Sequence, residues 1–250
     1  NAGLAAPEKF LLIPGEEVSS RYDKAPVHVN GFGLDRVVNP ATGASLIATI
    51  QSNVNAIREA GGLPSVNHPN FGWAFASREL LAVENLNLFE VYNGHPTVNN
   101  EGGGGVESLD QMWDALLTAG RRIYGVAVDD AHYFKTIGKD LSNPGRGWVV
   151  VRAPTLSRAS ILAALRGGDF YSSTGVELSD VRAAGEELRV AIKPASPFRY
   201  TTEFIGDGGR VLARSGELTA SYKLTASDKY VRAVVRASNG DDAWTQPLFR

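Results

Sequence analysis

Ile123-Tyr124-Gly125-Val126-Ala127-Val128-Asp129-Asp130-Ala131-His132 is the stretch on which the reading of the fold turns. An apolar run too short for a helix gives way at once to carboxylates and an imidazole. The same arrangement recurs along the chain. His28 closes Ala25-Pro26-Val27-His28, His68 follows Leu63-Pro64-Ser65-Val66-Asn67, and His95 follows Leu88-Phe89-Glu90-Val91-Tyr92-Asn93-Gly94. A fifth run, Phe10-Leu11-Leu12-Ile13-Pro14-Gly15, ends in Glu16-Glu17. Short apolar strands alternating with helices predict an α/β parallel sheet or barrel, in which the strand C-termini gather at one mouth.

Helical spacing supplies the other half of that pattern. Leu46, Ile50, Val54 and Ile57 fall on one helix face and Gly61-Gly62 stop it. A second helix is expected over Ser77 to Asn85. A third opens with Ser108 and Gln111 at capping-box spacing, presents Leu109, Trp113, Leu116 and Leu117 on one face, and ends at Gly120. A fourth runs from Arg158 to Arg166 and ends at Gly167. Gly147-Trp148-Val149-Val150-Val151 is continuously apolar, which predicts a strand buried on both faces.

After Gly175 the period changes. Glu187 to Ile192, Tyr200 to Ile205, Ala220 to Leu224, Tyr230 to Ala237 and Trp244 to Phe249 alternate, separated by turn sequences such as Asn239-Gly240. The expected organisation is an α/β barrel-type domain over residues 1–175 and a small antiparallel, sandwich-like β module over 176–250. In Tyr230 to Ala237, Val231, Ala233, Val235 and Ala237 share one face and Arg232 and Arg236 the other.

Composition narrows the function classes. With 250 residues and 43% hydrophobic content there is material for a large core. A formal charge of −2 gives no basic field for nucleic acid. No apolar stretch is long enough to span a membrane. Cysteine is absent, which excludes disulfides, thiolate nucleophiles and cysteine-bound metal. The opening Asn1-Ala2-Gly3-Leu4 has neither an initiator Met nor a signal peptide, so a longer precursor is expected.

The remaining chemistry is a set of imidazoles and carboxylates, the donors that zinc, manganese or iron accept. His68 and His95 each precede a proline, which keeps them in an extended turn at a strand end. Asp130 and His132 stand two apart and project to the same side of an extended chain. Glu17 is a carboxylate at another strand end. His28 is either an orienting or a structural residue, and Asn67 and Asn93 either orient the imidazoles or serve as turn residues. Arg21, Lys135 and Arg146 flank the mouth and are either anchors for an anionic substrate or solvated charges. Trp73 is a pocket wall or a core aromatic.

These segments resemble the PHP (polymerase and histidinol phosphatase) superfamily of metal-dependent hydrolases, and within it the CehA/McbA-like branch. The resemblance rests on Ile13-Pro14-Gly15-Glu16-Glu17-Val18, His28-Val29-Asn30, Asn67-His68-Pro69, Val91-Tyr92-Asn93-Gly94-His95-Pro96, Gly125 to His132, Gly147 to Ala153, Gly168 to Gly175 and Ala243 to Phe249. It implies a distorted (β/α)7-type barrel, here incomplete at the N-terminus, because the early His-x-His and Asp-His motifs are missing from this sequence. It implies metal ligation by Glu17, His68, His95, Asp130 and His132. Glu17, His68 and His95 alone would make one three-ligand site, and up to three metals would be held in the intact arrangement. It also implies proton transfer or ligation by Asp130 and His132, and a periplasmic or secreted home. The expected activity is phosphoester hydrolysis of a small molecule by metal-activated water. The alternatives are hydrolysis of a carbamate or carboxylic ester, and a non-catalytic barrel whose β module binds a partner or glycan. The oligomeric state is left open.

Overall fold

A computed structural model describes residues 9–250. Asn1 to Leu4, and with them the expectation of a longer precursor, lie outside the described residues. The first sheet has the order β1-β2-β3-β4-β5, formed by β1 (Gly15–Tyr22), β2 (Ala25–Phe32), β3 (Leu63–Val66), β4 (Leu88–Asn93) and β5 (Tyr124–Val128). Only β3, β4 and β5 are parallel. β1 and β2 form an antiparallel hairpin, and β2 runs antiparallel to β3.

Four helices lie between the strands: α1 (Leu46–Glu59), α2 (Ser77–Leu80), α3 (Leu109–Thr118) and α4 (Arg158–Gly167). Ser45, Ser108 and Ser157 cap the N-termini of α1, α3 and α4, and α3 carries the complete capping box with Gln111. The helix expected over Ser77 to Asn85 is a single turn.

The (β/α)7-type barrel does not form. Among the described residues 37% are strand and 17% helix, and none of the three sheets they form closes. The physical reason lies at the hairpin. Val18, Val27 and Val29 are fully buried while their neighbours are not, so this stretch alternates with period two and folds back on itself at Asp23-Lys24. A barrel would need a crossover helix there. The run Phe10 to Gly15 is not a strand that ends in Glu17. The strand starts at Gly15 and Glu17 lies inside it.

The second sheet has the order β11-β10-β13-β14-β7-β6, from β6 (Trp148–Val151), β7 (Phe170–Ser173), β10 (Tyr200–Gly206), β11 (Arg210–Ser215), β13 (Tyr230–Ala237) and β14 (Asp242–Thr245), with β15 (Leu248–Phe249) beside β13. The sheet runs across residue 175, because β14 pairs with β7 from Ser173↔Ala243 to Tyr171↔Thr245. β6 is an edge strand, antiparallel to β7, with Trp148 and Val150 exposed; it is not the doubly buried strand its composition predicts. A third sheet, β12-β9-β8, is made of β8 (Leu178–Ala184), β9 (Glu187–Ile192) and β12 (Thr219–Lys223). Its Leu188 and Val190 pack with Val231, Ala233 and Val235 in one core, as the alternation in β13 predicts.

The opposite face of β13 is covered by α3. Arg232 is fully buried there. Its Nε and Nη2 donate to the two carboxylate oxygens of Asp114, each at 2.7 Å, Asp110 stands 2.8 Å away, and the guanidinium lies 4.8 Å from the Trp113 ring centre. The Tyr230 hydroxyl completes the cluster by donating to Asp114 at 2.9 Å.

Asp242 on β14 has a pH signature. Burial pushes its carboxyl up to about 6, and Asp110 and Glu101 add to that, although Arg236 Nη1 at 2.8 Å opposes it. The fold therefore favours the protonated form. Its contribution to stability is complete below the ordinary aspartate pKa and is lost as pH rises through about 6. Asp242→Asn is expected to flatten this decline, by about 1–2 kcal/mol once screening is counted. Urea unfolding from pH 4 to 7 reads it, and an unchanged slope would contradict the assignment.

Candidate metal centre

The β1–β2 hairpin presents two faces. Val18, Val27 and Val29 enter the core beneath Ile50, Val54 and Ile57 of α1. Register pairs Glu17 with Asn30 and Ser19 with His28, so Glu17 and His28 lie diagonally on the opposite face. β2 pairs with β3 up to Val29↔Val66, which brings His68, two residues past Val66, beside His28. Asn67 clamps this junction: its N–H donates to the His28 carbonyl and its Oδ1 accepts from Asn30 N–H, both at 3.1 Å. Phe71 packs on both imidazoles, with ring centres 6.1 Å from His28 and 5.3 Å from His68.

The result is a group of three ligand atoms, one each from Glu17, His28 and His68, all within 4.8 Å of one another. Glu17 Oε1 is 2.7 Å from His28 Nδ1 and 3.8 Å from His68 Nε2. His28 Nδ1 is buried, and Glu17 Oε1 at 2.7 Å is the polar atom it faces. Two imidazoles and one carboxylate are the donors of a three-ligand site for a borderline cation; bonds of about 2.0–2.2 Å set tetrahedral donors about 3.3–3.6 Å apart, so the Glu17 and His28 atoms, 2.7 Å apart here, need only a small separation to share one. These residues fit a metal ion.

The electrostatics agree with a site that competes for cations. His28 first, then His68, hold the Glu17 carboxyl well below the usual carboxylate range, against the opposing pull of burial. Burial disfavours a charged His68, but Glu17, Glu90 and Asp130 outweigh it and raise its pKa. Glu90 lies behind the centre, almost fully buried, and burial pushes its carboxyl up to about 7. Its Oε2 accepts from His68 N–H at 2.8 Å and from Asn93 Nδ2 at 2.9 Å.

The other residues singled out in the sequence divide into two groups. Asp130 adjoins the centre. Its Oδ2 is 3.8 Å from His68 Nε2 and accepts from Asn93 Nδ2 at 3.3 Å, and its Oδ1 is 3.7 Å from His132 Nδ1. It does so with φ 48°, a left-handed conformation that costs a non-glycine residue on the order of 1 kcal/mol. His95 and His132 stand outside the three-ligand group and face one another, ring centres 5.3 Å apart. Thr97 Oγ1, 2.9 Å away, occupies His95 Nδ1. His68-Pro69 and His95-Pro96 make the same turn, the histidine carbonyl accepting from Phe71 N–H and Val98 N–H respectively. The turns thus place two imidazoles alike on adjacent strands, but Glu17 reaches only the one nearer the hairpin.

Arg21 shares the Glu17 face of β1, two residues past Ser19, and is exposed. Arg146 is held in place: its Nη2 donates to the Gly138 carbonyl, its N–H donates to Asp129, and its Cβ would lie 2.4 Å from any Cβ at Gly94. Lys135 lies in the exposed stretch Tyr133 to Ile137, and Trp73 is half exposed, not a core aromatic.

No protein-family model matches the chain, and no curated protein matches it. The centre therefore stands on its own geometry.

Proposed function

We propose that this chain is a metal-dependent hydrolase that holds a divalent cation (zinc, manganese or iron) between Glu17, His28 and His68, with a small phosphoester as its first candidate substrate. The observation that carries the reading is the convergence of those three donors around an imidazole nitrogen that has no other partner. Such a cation, when bound, lowers the pKa of a coordinated water and polarises the oxygen under attack. The side chains supply the rest. Glu17 is about one-third exposed, so the centre opens to solvent on the face away from α1. Asp130 stands next to His68 and is placed to take a proton from water, with His132 on its far side to pass it outward. Arg21, four residues further along the same face of β1 and exposed, is the candidate anchor for an anionic group. The likeness of the Glu17 and His68 segments to PHP hydrolases supports hydrolysis as the use of the cation.

The test is to purify the protein without chelator, measure bound metal, and assay a chromogenic phosphoester, a carbamate and a carboxylic ester with added zinc or manganese. Phosphoester turnover that a chelator removes and metal restores is expected. Metal binding with turnover of the carbamate or ester alone would change the substrate class, and metal-independent turnover or none would defeat the hydrolase reading.

A further inference from the structure

Glu90 interrupts a buried apolar strand, Leu88-Phe89-Glu90-Val91, and a carboxylate is costly there unless its oxygens are engaged. Its Oε2 is engaged twice, by the backbone N–H of His68 at 2.8 Å and by Asn93 Nδ2 at 2.9 Å. Asn93 Nδ2 also donates to Asp130 Oδ2 at 3.3 Å, and that same oxygen is 3.8 Å from His68 Nε2. The contacts close a circuit from Glu90 to the His68 backbone, across to Asp130, and back through Asn93. It ties Glu90, inside β4, to residues at or just beyond the ends of the three parallel strands β3, β4 and β5, through polar side chains in addition to the backbone pairing and apolar packing those strands share.

We infer that Glu90 is the positioning residue of the centre: an acceptor, not a cation ligand, that sets the spacing between His68 and Asp130. This rests on the cation site proposed above. It is not in the group of three whose donor atoms converge. Its part is to accept two hydrogen bonds, which makes a definite chemical prediction. A glutamine oxygen at the same place can accept both, whereas a methionine of similar volume can accept neither.

Cobalt(II), a coloured stand-in for zinc, tests the inference through affinity and visible spectrum, with thermal unfolding of the metal-free proteins as the check on folding. Glu90→Gln is expected to bind cobalt within about threefold of the wild type with an unchanged spectrum. Glu90→Met is expected to bind at least about tenfold more weakly with a shifted spectrum, the range seen when groups orienting metal ligands are removed. Asn93→Ala, which removes the link to Asp130 together with one of the two hydrogen bonds that Glu90 accepts and leaves the His68 N–H bond, is expected to shift the spectrum the same way. Wild-type affinity and spectrum in Glu90→Met would overturn the inference, as would a loss in Glu90→Gln as large as in His68→Ala, which would make Glu90 a ligand. If Glu90→Met does not fold, an unchanged spectrum in Asn93→Ala overturns it. Absence of cobalt binding by the wild type overturns the cation site itself, and the inference with it.

Discussion

Glu17→Ala is expected to weaken cation binding by at least about a hundredfold while the metal-free protein unfolds within a few degrees of the wild type. Glu17 supplies the one anionic donor, and its Oε1 lies 2.7 Å from His28 Nδ1 and 3.8 Å from His68 Nε2. Removing a direct ligand costs more than the ten- to hundredfold lost with groups that only orient ligands. The fold should tolerate the change. The side chain is about one-third exposed and projects from the hairpin face opposite Val18, so no core cavity forms. Calorimetric titration with zinc reads the affinity. Undiminished binding would mean that the cation sits elsewhere.

The largest expected loss of stability is at Arg232. Arg232→Met is expected to cost about 3–5 kcal/mol, because it leaves Asp114 and Asp110 beneath α3 without their counter-ion. Burial lowers the guanidinium pKa, but the two carboxylates outweigh it and keep the group charged. The same principle predicts partial recovery when both charges go: Arg232→Met with Asp114→Leu should be more stable than Arg232→Met alone, since the Tyr230 hydroxyl still has the Gly206 carbonyl at 2.9 Å to donate to. Urea unfolding of the three proteins measures this. A loss below about 1 kcal/mol for the single variant would show that the cluster is hydrated and weakly coupled.

Local features were the most legible in the sequence. The Ser108 capping box, the apolar face of α1 and the alternation of Val231, Ala233 and Val235 each follow from a periodicity that the backbone must obey. What misled was the step from local pattern to architecture. Trp148 to Val151 is as apolar as a buried parallel strand, yet it is an edge strand, because a run of four residues does not record how many neighbours it has. The Glu17 and His28 segments looked like two separate strand ends, whereas the alternation of Val18, Val27 and Val29 belongs to one hairpin. The same feature keeps His28 from standing out as a candidate ligand. Once the hairpin register is known, Glu17 and His28 fall on one face, and no spacing in the sequence gives that pairing. Glu90 did leave a signal that went unread: a lone carboxylate inside Leu88 to Val91 has to be engaged by something. Asp130 and His68 meet because parallel strands β3 to β5 end at one edge, the element of the barrel expectation that survives without a barrel.

A crystal structure of the zinc-loaded protein, with anomalous scattering recorded at the zinc edge, tests the centre most directly. The expected result is one anomalous peak bonded to Glu17 Oε1, His28 Nδ1 and His68 Nε2 at about 2.0–2.2 Å. A peak held instead by His95 and His132 with Glu17 remote, or no peak near the hairpin at all, would contradict it.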